Sequence, residues 1–392
     1  MKITGMKTYK FSVGTGEAQI DPHTGGLISS TSKAWLLLKV ETDGGIVGWG
    51  EGSGEWLTES VEATLHAWQT LLVGRDPLHI SAICDDITNR LPWKGGPVYG
   101  TAIAAINIAL HDIAGKAWGV PVHTILGGKR RDRVRVYGGG PMLTPEQAAE
   151  TAKSAKARGY AGVKGNPLEE RRSPMDEAAL VNSTEVVAAI RQAVGDGFDI
   201  MLDTHASPQP ELSIEYARRV AKYRPLFLEE PCKVGSVDAL MAVTRASPVP
   251  VAAGEKLFTI QQFEQVIAPR ALAFLQPDIG HSFGLTNYMR IAERAEQQQI
   301  LMAPHLGVGG ILYVAAVHAD AATNNFLIQE SPDVSKFDAY MDHDLQIKDG
   351  YVNVTDRPGL GIEVKEADVA KAEFVTMAFR QYLHEDGSWK GW

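Results

Sequence analysis

Six ionisable residues recur at nearly even spacing through the second half of the chain. Each one ends a short apolar run, and a helix-like segment separates one run from the next. At intervals of 23 to 27 residues, they are Asp203, Glu229, Glu255, Asp278, His305 and Glu330. A period of about 25 residues is the length of one strand, one helix and two short loops. Because a (β/α)-barrel carries its chemistry at the carboxyl ends of its strands, the spacing predicts such a barrel with a site at that end.

Eight apolar segments can supply the strands of this barrel. Helical segments such as TPEQAAETAKSAKARG and LTNYMRIAERAEQQQ lie between them. The eight predicted strands are RVRVYGG, AGVKGN, DIMLDTH, PLFLEEP, VPVAAGE, AFLQPDI, ILMAPHL and NFLIQE. Strand and helix alternating to this count predict an α/β fold, a (β/α)-barrel of the modified TIM type.

The chain has 392 residues, more than the roughly 250 of a barrel. Residues 1–130 begin with strand-like segments and continue with helical ones, which predicts an α+β capping domain before the barrel. The barrel is then expected over residues 131–335. Residues 336–392 contain the strand-like segment YVNVTD and the turn RPGLG. We expect this C-terminal segment to complete the capping domain by packing back on it.

Composition narrows the classes of partner. The net charge of −9 argues against nucleic acid or an anionic membrane surface. Cys84 and Cys232 offer neither a disulfide framework nor a zinc pattern. The N-terminus lacks the apolar stretch of a signal peptide, and no apolar segment is predicted to reach membrane-spanning length. We therefore expect a cytoplasmic protein that acts on a small molecule and associates as a homo-oligomer.

Three of the regularly spaced acids predict a metal site. Asp203, Glu229 and Glu255 end adjacent predicted strands, so their carboxylates would repel one another unless a cation lay between them. An all-oxygen ligand set favours Mg²⁺, with Mn²⁺ as its usual substitute. The alternative is that each acid lies on the barrel rim or pairs with a neighbouring lysine. Glu230, beside Glu229, is expected on the opposite face of its strand and in a structural role.

Two histidines are expected beside this metal site. His305 and Asp278 end neighbouring strands, and an aspartate bonded to one ring nitrogen would make the other nitrogen a general base. His205 lies two residues after Asp203, so strand alternation predicts that both side chains share one face. The alternative for each histidine is a buried residue with a purely structural role.

Further polar residues close the predicted ring of strand ends. Lys164 and Asn166 end the second strand and share a face by alternation. The lysine could neutralise a substrate carboxylate, or it could be an ordinary surface residue. Glu330 ends the last strand and, with a raised pKa, could donate a hydrogen bond to a developing oxyanion. The alternative is an acid on the barrel rim that pairs with a cation.

Several motifs resemble those of the enolase superfamily, mandelate racemase-like subgroup, over almost the whole chain. They are VGWGEG, ALHDIAGKAWGVPVHTILGG, LDTH, LEEP, AAGEK, LQPD and APHLG. The resemblance implies Asp203, Glu229 and Glu255 as Mg²⁺ ligands, and Asp278 with His305 as a catalytic dyad. Many subgroup members end the second strand with Lys-x-Lys, whereas this chain has Lys-Gly-Asn there.

The details are most similar to acid-sugar dehydratases of the galactonate type. The Asp-x-His motif ending at His205, QPD-x-x-H ending at His281, and the later IQE carry this similarity. It implies that His305 removes the C2 proton of an aldonate, that His205 protonates the departing C3 hydroxyl, and that Lys164 and Glu330 support a metal-stabilised enediolate. The product would be a 2-keto-3-deoxy sugar acid.

The capping domain is expected to contact the far end of the substrate. The candidate substrate-binding residues are Asn166, His23, Trp56 and His281, and those of the capping domain could equally be ordinary surface. Two other functions remain open at this point. One is a racemase, epimerase or cycloisomerase on the same scaffold, and the other is a metal-binding scaffold without catalysis.

Overall fold

The capping domain is built on an antiparallel sheet covered by helices. The computed structural model describes residues 1–14, 18–20, 27–30, 33–168, 177–233, 235–307, 309–377 and 387. The strands of this domain are β1 (Ile3–Val13), β2 (Ala18–Ile20), β3 (Leu27–Ser30), β4 (Lys33–Thr42) and β5 (Val47–Glu51). Its helices are α1 (Thr58–Leu72), α2 (Ile80–Arg90), α3 (Pro97–Trp118) and α4 (Val122–Ile125). The strands β1, β4 and β5 form one sheet, and β2 pairs with β3.

Helix α3 forms the centre of this domain. Its many alanines allow close packing, and a Cβ added at Gly50 of β5 would lie 2.0 Å from the carbonyl oxygen of Ala105. At 22 residues, α3 is long and apolar enough to span a membrane, which corrects the expectation that no segment reaches that length. Because 94% of its apolar window is buried in the fold, α3 is accounted for as a core helix.

The eight predicted barrel strands are all present. They are β6 (Arg133–Gly139), β7 (Gly162–Gly165), β8 (Asp199–Asp203), β9 (Phe227–Glu229), β10 (Val251–Ala253), β11 (Phe274–Leu275), β12 (Leu301–Met302) and β13 (Gln329–Glu330). Neighbouring strands from β6 to β12 pair in chain order and in parallel, and β13 pairs with β6. A bridge between Met302 and Phe326 closes the circle. The predicted (β/α)-barrel is therefore confirmed.

Within the described residues, seven helices connect the barrel strands. They are α5 (Pro145–Ala157), α6 (Glu177–Val194), α7 (Pro210–Val220), α8 (Val237–Ala246), α9 (Ile260–Ile267), α10 (Leu285–Gln297) and α11 (Gly310–Ala322). Strand β13 is followed by a 3₁₀ segment, Val334–Ala339, where a regular barrel would place its eighth helix. Part of the long loop after β7, residues 169–176, lies outside the described residues.

The C-terminal segment divides between the two domains. It contains β14 (Met341–Asp342), β15 (Ile347–Lys348), β16 (Tyr351–Asn353), β17 (Glu363–Val364) and α12 (Glu366–Val369). Strand β16 pairs with barrel strand β6, a contact that the sequence does not predict. Farther along, Glu366 forms an ion pair with Lys39 at 2.9 Å, and the amide of Leu360 donates to Asp112 of α3. The tail thus packs on the capping domain, as expected, while the exact domain bounds stay a prediction.

Glu51 joins the capping domain to the barrel. Its buried carboxylate accepts hydrogen bonds from the amides of Ile311 and Leu312 at 3.0 and 3.1 Å. These amides belong to the first turn of α11, where backbone donors lack partners within the helix. Glu51 therefore caps a barrel helix from the other domain and helps to fix the capping domain over the loop that follows β12.

Candidate active site

Three carboxylates meet where adjacent barrel strands end. Asp203 and Glu229 are the last residues of β8 and β9, and Glu255 follows β10 by two residues. One oxygen from each lies within 4.8 Å of the others. Glu229 is fully buried, Asp203 is 3% exposed, and the side chain of Glu255 is 9% exposed. Three hard oxygen donors this close together, held away from water, fit a divalent cation of the Mg²⁺ type.

Lys164 lies among these carboxylates. Its Nζ is 2.6 Å from Glu229, 3.4 Å from Asp203 and 3.1 Å from Glu330. Burial alone would lower the pKa of Lys164, but the surrounding carboxylates hold it well above its usual value. Burial and the adjacent Asp203 raise the pKa of Glu229, so one ammonium does not offset the local excess of negative charge.

His305 forms the predicted pair with Asp278. Its Nδ1 lies 2.8 Å from Oδ2 of Asp278, whose Oδ1 accepts the amide of Gly280 at 2.7 Å. This contact fixes the ring and leaves Nε2 directed at the carboxylates, 3.5 Å from Glu255. Burial would lower the pKa of His305, but Glu255 and Asp278 raise it to about 10. The chain therefore holds a strongly basic imidazole at one edge of the carboxylate cluster.

His205 lies beside the same cluster on the opposite side of the barrel, since β8 and β12 are the third and seventh of eight strands. Its Nε2 is 3.1 Å from Asp203, and its amide donates to Oδ1 of Asp203 at 2.8 Å. His205 lies on the predicted side, next to Asp203, but strand alternation does not place it there. Strand β8 ends at Asp203, and His205 has a φ of 49°. A turn, not an extended strand, brings the ring back. Burial would lower the pKa of His205, but Asp203 raises it to about 9.

Asn166 and Glu330 complete the ring of strand ends. Asn166 Nδ2 lies 3.4 Å from Nδ1 of His205, so it contacts the histidine on the side away from Asp203. Glu330 Oε2 accepts hydrogen bonds from Lys164 Nζ and from the amide of Leu306, each at 3.1 Å. The contact with Lys164 agrees with the alternative of an acid paired with a cation, and hydrogen-bond donation by Glu330 to a substrate oxyanion stays a prediction.

The other three predicted substrate-binding residues lie in different surroundings. His23 lies outside the described residues. Trp56 lies in the 3₁₀ turn Glu55–Leu57 at the start of α1. His281 directs Nδ1 at Oγ1 of Thr101 in helix α3, at 2.8 Å, and thus contacts the capping domain. Its role in substrate binding stays a prediction.

Sequence reasoning missed a pair of capping-domain residues beside His305. Lys33 donates to the carbonyl oxygen of Gly307 and lies 3.6 Å from the carboxylate of Glu55. A Cβ added at Gly307 would lie 3.0 Å from the His305 ring and 3.9 Å from Glu55. Glu55 has a positive φ of 49°, which is uncommon for a residue with a side chain. In this part of the capping domain, the sequence pointed to Trp56 and not to its neighbour Glu55.

Three further polar residues contact the carboxylates or the backbone next to them. Gln276 donates to Glu229 Oε2 at 2.7 Å, so both oxygens of that ligand candidate have a partner. Lys256 donates to Oε1 of Glu255, and Oε1 of Glu230 accepts the amide of Gly254, the residue before Glu255. These contacts agree with the structural role expected of Glu230.

Two protein-family models match the chain in succession. The mandelate racemase / muconate lactonizing enzyme N-terminal domain matches residues 10–127, and the enolase C-terminal domain-like family matches residues 147–368. A D-galactonate dehydratase of Ralstonia nicotianae is 34% identical, over 91% of this chain and 96% of that protein. A D-galactonate dehydratase of Pectobacterium atrosepticum is also 34% identical, over 85% and 89% respectively.

Solved structures resemble the whole fold. A mandelate racemase/muconate lactonizing enzyme-like protein from Roseovarius sp. TM1035 has a TM-score of 0.84 and 30% identity, covering 96% of this chain and 97% of that one. An enolase from Agrobacterium radiobacter, solved with Na and L-malate bound, has a TM-score of 0.87 and 25% identity, covering 99% of both chains.

Proposed function

We propose that this chain, which belongs to the mandelate racemase / muconate lactonizing enzyme family of the enolase superfamily, is a Mg²⁺-dependent dehydratase of an acid sugar. The substrate would be an aldonate similar to galactonate, and the product a 2-keto-3-deoxy sugar acid. The observation that carries the proposal is the pair His305 and His205 on opposite sides of one carboxylate cluster. The names of the relatives, D-galactonate dehydratases at 34% identity, support the same reaction.

Asp203, Glu229 and Glu255 would hold Mg²⁺, or Mn²⁺ in its place. When bound, the cation would neutralise charge that develops on the substrate carboxylate during proton removal. Lys164 already pairs with Asp203, Glu229 and Glu330, so it would add positive charge on the side of β7. Lys164 would thereby support the oxygens of the enediolate, and Glu330 would hold its ammonium in place.

His305 is proposed as the general base that removes the C2 proton. Asp278 binds Nδ1, which fixes the tautomer and the orientation of the ring. Only Nε2 then faces the cluster and can accept the proton. Without a cation, the neighbouring carboxylates favour the protonated ring. With a cation held by Glu255, less negative charge would face Nε2, so the pKa of His305 would fall and the neutral ring could accept the proton.

His205 is proposed as the general acid for the departing C3 hydroxyl. Asp203 beside Nε2 favours the protonated imidazole, so a proton is available at the start of the step. Placement across the barrel from His305 would allow proton removal and hydroxyl loss on different sides of the substrate. Expulsion of water leaves an enol, which tautomerises to the keto acid.

The far end of the substrate would meet Lys33 and Glu55. The ammonium and carboxylate lie 3.6 Å apart, so among the described residues these two charges offset each other. A neutral hydroxyl-bearing chain fits such a pair better than a second carboxylate does. This arrangement favours an aldonate over a diacid.

A screen of acid sugars with Mg²⁺ tests the proposal. We expect a carbonyl product that reacts with semicarbazide, and we expect His305→Asn and His205→Asn to lose it while keeping Mn²⁺ binding. Metal binding without turnover on any acid sugar would contradict the proposal and favour a non-catalytic scaffold. The cytoplasmic location and a homo-oligomeric state stay predictions.

A racemase, epimerase or cycloisomerase is the second candidate, since two histidines on opposite sides of a substrate could exchange a C2 proton. Incubation in D₂O separates the two reactions. Deuterium at C2 of recovered substrate with no keto acid would favour the isomerase. Keto acid as the main product favours dehydration.

A further inference from the structure

We propose that Lys256 and Glu230 act together as positioning residues that hold the Glu255 carboxylate in the orientation needed to bind the cation. This inference rests on the metal site of the proposed function. It adds two residues that do not touch the cation and assigns them an effect on metal affinity.

Glu230 anchors the backbone that carries Glu255. It is 2% exposed, and its Oε1 accepts the amide of Gly254 at 2.9 Å. Its carbonyl oxygen accepts the Thr204 hydroxyl at 2.7 Å, and its φ of 45° is in the left-handed region. Glu230 therefore joins the turns after β8, β9 and β10, and each of the three candidate ligands lies at the end of one of these strands or in the turn after it.

Lys256 connects this anchor to the ligand side chain. Its Nζ lies 2.5 Å from Oε1 of Glu255 and 3.5 Å from Oε2 of Glu230. The other oxygen of Glu255, Oε2, faces His305 at 3.5 Å. Each oxygen of Glu255 thus has its own neighbour, and rotation of the carboxylate would break the contact with Lys256.

Orientation and charge make opposite predictions for this lysine. A cation beside a metal site repels the metal, so its removal should tighten binding if charge alone matters. If Lys256 orients Glu255, its removal should weaken binding, and loss of such outer contacts weakens metal affinity by roughly 10- to 100-fold. The sign of the change therefore separates the two roles.

The experiment measures Mn²⁺ affinity by electron paramagnetic resonance on the full chain without substrate. We expect Lys256→Met to weaken Mn²⁺ binding at least about 10-fold, and Lys256→Arg, which keeps a donor and the charge, to restore most of it. Glu230→Gln keeps an acceptor for Gly254 but loses the attraction to Lys256, so we expect a smaller weakening. Lys222→Met, on an exposed turn, is the control and should bind as the parent does.

Unchanged or tighter binding by a folded Lys256→Met variant would overturn the inference. Thermal melts show whether each variant is folded, and Glu230→Gln carries the test if Lys256→Met is not. In that case, parental affinity in Glu230→Gln would overturn it. If the parent protein itself binds no Mn²⁺, the proposed function is wrong. If the parent and Lys256→Met bind Mn²⁺ equally tightly, only this inference is wrong.

Discussion

The two ends of strand β8 carry the same residue type in different electrostatic surroundings. Asp199 begins the strand and pairs with Arg135 of β6 at 2.8 Å. Asp203 ends the strand beside Glu229 and Glu255. Both point into the barrel by alternation, with the buried Met201 between them. At the first end one acid meets one base, and at the second end acids outnumber bases.

The difference identifies which end of the barrel binds a ligand. At the amino end, Arg135 offsets the charge of Asp199, and the residues at that end of a barrel serve its fold and not its chemistry. At the carboxyl end, acids outnumber bases, and burying this excess of negative charge costs folding free energy unless a cation binds there. The excess of buried negative charge, more than any single residue, marks the functional end.

The largest expected effect is at the carboxylate end. Glu229→Gln should lower turnover of the acid-sugar substrate by about 10³-fold or more, because the cation loses a charged ligand. The metal-free variant should melt no lower than the metal-free parent, since the substitution relieves repulsion from Asp203. Steady-state kinetics and calorimetric melts measure both quantities. A variant with parental turnover would remove Glu229 from the site.

His305→Asn tests whether His305 is the base that removes the C2 proton. We expect a loss of about 10²- to 10⁴-fold in turnover, the range for removing a general base. Mn²⁺ affinity should stay within a few-fold of the parent, because His305 is not one of the proposed metal ligands. Deuterium exchange at C2 should stop as well. Exchange that continues at the parental rate would assign proton removal to another residue.

The pH behaviour of His205 should depend on the cation. In chelator-treated protein its imidazole should titrate near pH 9, since Asp203 raises its pKa. The unfolded value is about 6.5, so this pair stabilises metal-free protein fully below pH 6.5, and the contribution is lost as pH rises through 9. Mg²⁺ should lower the pKa by competing for Asp203. NMR titration of the histidine signals would measure this shift, with His205→Asn identifying the His205 signal. A His205 pKa that Mg²⁺ does not change would contradict the prediction.

The smallest expected effect is at the amino end of β8. Asp199→Asn should change the free energy of unfolding by less than about 1 kcal/mol, because burial raises the pKa of Asp199 and offsets its attraction to Arg135. Turnover and Mn²⁺ affinity should match the parent. Chemical denaturation and kinetics on this variant provide the control for the carboxylate end. A large loss of activity would mean that the two ends are coupled.

Local patterns in the sequence predict the strand ends and the acids on them. Strand and helix lengths set the regular spacing of the apolar runs, so the sequence alone places Asp203, Glu229 and Glu330 at strand ends. The Asp278 and His305 contact follows from the adjacency of β11 and β12.

Other features depend on turns and on docking of the two domains, which spacing does not encode. His205 and Glu230 reach their positions through positive φ angles that follow short strands. Lys33 meets Gly307 across 274 residues because the capping domain covers the barrel. Such contacts depend on how the whole chain packs.

Counting bound Mn²⁺ on paired variants of β8 tests the central account most directly. We expect one tightly bound Mn²⁺ per chain in the parent and in Asp199→Asn, and a loss of that ion in Asp203→Asn. Equal binding by Asp203→Asn and the parent, in folded protein, would contradict it.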